Sequence, residues 1–209
     1  MAFLRAISRW LLRVVLLLLA IFAALVALWA FAPPVSTLML ARWVTFRPVE
    51  RVWTPLERIA PALPLAVIAS EDGRFCRHWG VDWGALREVI DAAGEDGPSR
   101  GASTIPMQSA KNLFLWPSRS ALRKGLEIPA ALIIDRVWGK RRVMEAYLNI
   151  AEWGEGIFGA EAAARRWMTL AIRLCRTPGW PGSRRSGLGR AAASRAASLG
   201  LNCPADLRK

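Results

Sequence analysis

The feature that most constrains this chain is an uninterrupted apolar run, Val14 to Ala32, preceded by Arg5, Arg9 and Arg13. At helical rise the run is long enough to cross the hydrocarbon core of a bilayer, where only a helix satisfies its own backbone within one segment. Basic residues favour the cytoplasmic side. Residues 1–13 are therefore expected inside, 14–32 as a transmembrane anchor, and everything after Pro33-Pro34 outside. A cleaved signal peptide is the alternative, since Ala30-Phe31-Ala32 has a small-x-small cleavage shape. The length of the run and the proline that follows it favour a retained anchor. The 209 residues leave room for that anchor and one further domain of ordinary size.

A hydrophobic content of 54% and 11 tryptophans exclude general disorder, and a net charge of +13 calls for an anionic partner. Nucleic acid, anionic lipid and a pyrophosphate all qualify on charge. No zinc-ligand spacing, helix-turn-helix pattern or aromatic RNA-binding signature is visible, so nucleic acid is set aside. Cys76, Cys175 and Cys203 are odd in number and scattered, and indicate neither a disulfide framework nor a metal site.

Residues 33–63 are rich in proline and aromatics and read as a membrane-proximal stalk. Trp43, Phe46 and Trp53 lie either along the bilayer surface or in the core. From 64 to 167 the pattern is helical. Helices are expected over Val81–Ala93, from Thr104, from Ser118 to about Ile134, over Lys140–Ile150 and over Glu161–Trp167, with an exposed loop at Gly94–Gly101. No alternating strand pattern appears, so the domain should be mainly α. Residues 168–209 carry Arg173, Arg176, Arg184, Arg185, Arg190, Arg195, Arg208 and Lys209 against Asp206 alone, and are expected to be a poorly packed tail.

Three polar clusters carry the chemistry. Glu71 and Asp72 follow an apolar segment, and a carboxylate there can act as a general base. Asp72 can equally cap a turn, and His78, the only histidine, can be a structural partner. A hydroxyl at Ser103 or Thr104 can cap a helix whose N-terminus favours an anion. Thr104, Gln108, Lys111 and Asn112 then share one face, and Met107, Ala110 and Phe114 the other. Arg119, Arg123 and Glu127 also share a face, with Lys124 adjacent. Alone, they would be ordinary i,i+4 ion pairs worth roughly 0.3–0.5 kcal/mol.

The order of the pieces is more specific than any one of them. Glu71-Asp72…Phe75…His78-Trp79-Gly80, Gly101-Ala102-Ser103-Thr104-Ile105…Gln108…Lys111-Asn112, Arg123-Lys124…Glu127, Lys140-Arg141-Arg142-Val143-Met144-Glu145-Ala146-Tyr147-Leu148-Asn149 and the Glu152-Trp153-Gly154 to Ala164 continuation resemble glycosyltransferase family 51, which supplies the peptidoglycan transglycosylase domain. The resemblance covers roughly residues 60–167, and one anchor without a transpeptidase domain points to the monofunctional branch. It implies a lysozyme-like, mainly α domain behind one N-terminal transmembrane helix, in the bacterial inner membrane with the catalytic domain in the periplasm. It also implies that the chain polymerises lipid II, with inversion and release of undecaprenyl pyrophosphate.

By motif position the resemblance makes Glu71 the general base. Lys111 and Arg119 become a pyrophosphate clamp, supported by Ser103, Thr104, Gln108, Asn112, Arg123 and Lys124. Glu127 becomes a second carboxylate that assists at the leaving group, with a divalent Mg2+ or Mn2+ conceivable there. Asp72, Phe75, His78, Gly80, Gly101, Glu145, Tyr147 and Asn149 are motif positions with structural roles. The partners implied are lipid II, the growing lipid-linked glycan strand, membrane lipids and other wall-synthesis proteins.

Three departures from the family stand out. Pro106-Met107 replaces a polar pair. Pro129 follows Glu127 by two residues, where a kink is expected. Met168 onward resembles nothing in the family, as a shifted reading frame would give, which leaves a catalytically dead membrane scaffold as one rival reading. A lysozyme-like lytic hydrolase is the other, because paired carboxylates also cleave glycosides.

Overall fold

The computed structural model describes residues 2–91, 101–118 and 120–175. The expected loop over Gly94–Gly101, apart from Gly101 itself, lies outside these residues, as do Arg119 and the tail beyond 175. Helix α1, Ala2–Trp29, opens the chain, and its segment Phe3–Trp29 is long and apolar enough to cross a membrane. Among the described residues six further α-helices follow: α2 (Thr37–Val44), α3 (Ala62–Glu71), α4 (Trp83–Asp91), α5 (Ile105–Phe114), α6 (Ala121–Ile150) and α7 (Ala160–Cys175). The fold is mainly helical, as expected.

The core forms where α5 lies against α6, the most extensive element pairing in the described fold. Ile105, Met107, Ala110 and Leu113 join Ala131, Ile134, Val143, Met144 and Leu148 in one apolar cluster, with Ile68, Phe75, Val81 and Phe158 closing its edges. Gly80 lies close to α6, and its φ of +75° favours a residue without a side chain. A Cβ there would stand 2.7 Å from the Ala131 carbonyl oxygen.

Several features depart from the sequence reading. The segment expected as a stalk holds α2, whose start is capped by Ser36 Oγ accepting from the Met39 amide at 3.2 Å. Asn149 fastens the same segment to α6: its Oδ1 accepts from the Thr54 amide at 2.8 Å and its Nδ2 donates to the Thr54 carbonyl at 2.9 Å. Glu145 Oε2 accepts from the Leu56 amide at 2.9 Å.

A small sheet is also present, in the order β1 (Glu50–Arg51), β3 (Ile157–Phe158) and β2 (Glu152–Gly154), with β1–β3 parallel and β2–β3 antiparallel. Strands of two or three residues are too short to show alternation. Within α6 the backbone leaves helical angles at Gly139 (φ 70°, ψ 166°), not at Pro129, which stays in the helix. Cys76 is disulfide-bonded, a link that the cysteine spacing did not indicate. Helix α7 runs through Trp167 to Cys175, so the expected end of the last helix is passed without a break.

Candidate active site

Glu71 closes α3, and its carboxylate stays exposed at the edge of a cavity of about 290 Å³. Arg74, Asp82, Glu88 and Ser103 also line that cavity. Its oxygen Oε2 accepts from Gln108 Nε2 at 3.1 Å. Gln108 Oε1 in turn accepts from the Tyr147 hydroxyl at 3.3 Å. Burial, and then the charge of Glu71, push the Tyr147 phenol up to about 12.

Asp72, one residue on, is buried and committed within the fold. It ends α3, its oxygens lie 2.9 and 3.1 Å from His78 Nε2, and Oδ2 accepts from the Ile105 amide at 3.0 Å. The structural alternatives for Asp72 and His78 are therefore the ones the structure realises. Phe75 is fully buried beside His78, and Lys140 lies 4.7 Å over its ring.

At the start of α5 the helix amides meet groups of this same chain. Thr104 is the cap, accepting from the Met107 amide at 3.3 Å, and its hydroxyl donates to the Gly80 carbonyl at 2.5 Å. With Asp72 on the Ile105 amide, the helix start already holds a carboxylate of its own chain. Thr104 is buried, so its hydroxyl holds the α5 start in place.

The cations gather where the far end of α5 meets the start of α6. Lys111 is half-buried, and burial followed by the Arg123 charge lowers its ammonium below the ordinary value. Lys124 is lowered by burial, then by Arg123 and Lys111. Its Nζ donates to Ser103 Oγ at 2.5 Å and to Glu127 Oε2 at 2.9 Å. Arg123 Nη1 donates to the other Glu127 oxygen.

Glu127 is only 2% exposed, so its carboxylate is buried between Arg123 and a Lys124 side chain that stays 40% exposed. Both of its oxygens are taken by cations, and no group of three or more acidic, histidine or cysteine side chains clusters among the described residues. That donor set does not fit a divalent cation. Lys111, Asn112 and Arg123 line a second, mostly apolar cavity of about 400 Å³ with Thr37, Leu38 and Trp116. Gly101 lines the first cavity, and Arg119 lies outside the described residues.

The structure thus joins Glu71, Gln108 and Tyr147 in one chain of hydrogen bonds, and Lys111, Arg123, Lys124, Ser103 and Glu127 in one charged cluster. Helix α5 connects the two through Gln108 and Lys111, which are three residues apart on one face. Asp72, Thr104, Glu145 and Asn149 hold backbone in place. Arg142 was not singled out by the sequence reading, yet it donates to the Trp29 and Ala32 carbonyls at the end of α1 and pairs with Glu145. Its place in a run of three basic residues offered no signal of that role.

The transglycosylase family matches residues 39–173, so the match continues past Trp167 and corrects the reading that nothing beyond Met168 belongs with it. The chain is 58% identical over 154 residues to a biosynthetic peptidoglycan transglycosylase of Brucella suis biovar 1 (strain 1330), covering 74% of this chain and 69% of that one. A protein of the same name in Rhizobium meliloti (strain 1021) is 52% identical over 163 residues, covering 77% and 69%. Another in Rhodopseudomonas palustris (strain TIE-1) is 47% identical over 216 aligned positions, covering 93% of this chain and 91% of the relative. The ordered motifs, the helical fold and a match over most of the sequence agree, and the chain belongs to the transglycosylase family.

Proposed function

We propose that this chain is a peptidoglycan glycosyltransferase that polymerises lipid II into glycan strands. The observation that carries the proposal is an exposed carboxylate, held by Gln108 of α5, and a pair of cations, Lys111 of α5 and Arg123 of α6, each group beside its own cavity. The acceptor sugar lies in the cavity beside Glu71, with its 4-hydroxyl against the carboxylate. Glu71 takes the hydroxyl proton as the oxygen attacks C1 of the lipid-linked donor. A new C1–O bond forms on the face opposite the leaving group, the bond from C1 to the pyrophosphate oxygen breaks, and configuration inverts.

Undecaprenyl pyrophosphate departs with the bonding pair, and Lys111 and Arg123 compensate the charge that develops on it. The apolar lining by Leu38, Leu115 and Trp116 suits the lipid end of that group. Glu127 holds Arg123 and Lys124 in place. A lytic hydrolase would have no pyrophosphate for these cations, so the cluster favours transfer over hydrolysis. The chain acts from the inner membrane, N-terminus inside, with the catalytic domain in the periplasm.

Incubating the full-length protein with labelled lipid II is expected to yield glycan strands. Glu71→Gln should reduce their formation by about 10²–10⁴-fold while leaving unfolding unchanged, because the side chain is exposed. A folded Glu71→Gln protein with undiminished turnover removes Glu71 as the base.

A further inference from the structure

A base works only if one carboxylate oxygen faces the acceptor hydroxyl, and Glu71 has little around it to fix that orientation. It is exposed at the end of a helix, and the hydrogen bond recorded for its side chain comes from Gln108. An amide side chain is ambiguous in this role. Turned one way, it donates to the carboxylate; turned the other, it presents its carbonyl oxygen and repels it. The group that settles the choice sits behind it. The Tyr147 hydroxyl donates to Gln108 Oε1 at 3.3 Å, which fixes that end as the acceptor and leaves Nε2 for Glu71 Oε2 at 3.1 Å.

We propose that Tyr147 is a positioning residue for the base: its hydroxyl orients the Gln108 amide, which holds one oxygen of Glu71 and leaves the other free for the acceptor. Tyr147 suits the task because it is rigidly mounted. It lies in the most buried stretch of α6, between Glu145 and Asn149, whose side chains pin the Thr54–Leu56 segment. It also remains a donor over the whole working range, since burial and the Glu71 charge hold its phenol protonated to about pH 12. The inference rests on the proposed role of Glu71, but it concerns a contact that can be read without turnover.

Tyr147 is the only tyrosine in the chain, so its ionisation is visible alone in the near-ultraviolet absorbance of phenolate. In rapid pH-jump titrations read before unfolding, Glu71→Gln is expected to move the Tyr147 transition down from about 12, because a neighbouring negative charge has gone. An unmoved transition overturns the contact. In lipid II polymerisation, Tyr147→Phe should lower kcat roughly three- to tenfold, the effect of one neutral hydrogen bond, with KM and the unfolding midpoint unchanged.

Combined with Gln108→Leu, Tyr147→Phe should cost nothing further, because its effect passes through that amide. Losses that multiply in the double variant, or an unchanged kcat in Tyr147→Phe, overturn the proposal. A wild-type protein that makes no strands would count against the proposed function, while the phenolate titration would still decide the contact.

Discussion

At the scale of single residues, the site separates side chains that face a cavity from those spent on holding backbone. Glu71 and Lys111 belong to the first kind, and the sequence shows them because a carboxylate after an apolar segment and a cation on a polar helical face are local patterns. Asp72 and Thr104 belong to the second. Their tasks, pinning the Ile105 amide and the Gly80 carbonyl, depend on partners 33 and 24 residues away that no local pattern discloses.

Lys111 also carries a pH dependence. Its ammonium is depressed by burial and by Arg123, so it gives up its proton below the ordinary lysine value. An anion bound there should weaken as the pH rises through that lowered value. Affinity for a phosphoglycolipid donor mimic is therefore expected to fall on the alkaline side before pH 10.5 is reached. Lys111→Arg should move that limb upward, because a guanidinium keeps its proton. Binding titrations across pH check this, and coincident limbs for the two proteins would place the anion elsewhere.

Between elements, the least anticipated connection is the one joining α1 to the domain. Trp138 Nε1 donates to the Val26 carbonyl at 2.8 Å, and Arg142 donates to the carbonyls of Trp29 and Ala32 at 2.9 and 2.5 Å. A helix ends with unpaired carbonyls and partial negative charge, so a guanidinium there satisfies both needs. Phe22 and Trp29 pack on Phe114, whose ring centroid lies 4.7 and 5.4 Å away. Phe114 stands at the end of the helix that carries Lys111, so the anchor bears on the element that mounts the site.

None of this was legible in the sequence, because Arg142 and Trp29 stand 113 residues apart. What was legible in α6 was its apolar stripe through Val143, Tyr147 and Ile150, which recurs at helical spacing. Arg142→Ala is expected to leave the buried Glu145 without its cation and the Trp29 and Ala32 carbonyls without the donor they share. Its cost should be about 3–5 kcal/mol, as for removing one partner of a buried pair. Arg142→Lys should recover only part of it, since one ammonium cannot span both carbonyls and Glu145. Denaturant titrations in detergent micelles measure both, and an unchanged midpoint in Arg142→Ala would show that the joint contributes nothing.

At the scale of the whole molecule, the dominant feature is a helix long and apolar enough to cross a membrane. Only 6% of the most apolar stretch of α1 is buried within the protein, so nearly all of that surface needs a non-aqueous environment. Its last turns are the exception, since Phe22, Val26 and Trp29 join the domain's apolar cluster. On the same side of the span, Phe31, Trp43, Val44 and Phe46 are exposed, Phe46 to 98%. Phe46 also sits at a φ of 53°, an unusual position for a bulky residue. Trp43 and Phe46 are exposed and take no part in the core.

The span was legible because length and composition alone define it. Its first turns were not, because Arg5, Arg9 and Arg13 look like a flank, yet they continue the helix to Ala2. Arginine and leucine are both good helix formers, so charge marks where the lipid ends but not where the helix does. In the proposed topology, those three arginines keep the N-terminus inside. A reporter active only outside the cytoplasm, joined after Arg47, is expected to be active, and the same reporter joined before Val14 to be silent. The reverse pattern would invert the topology and put the cleft on the cytoplasmic side. A protein whose N-terminal residue proves to be Pro33 would show that the helix is cleaved, and that the α1–α6 joint is lost with it.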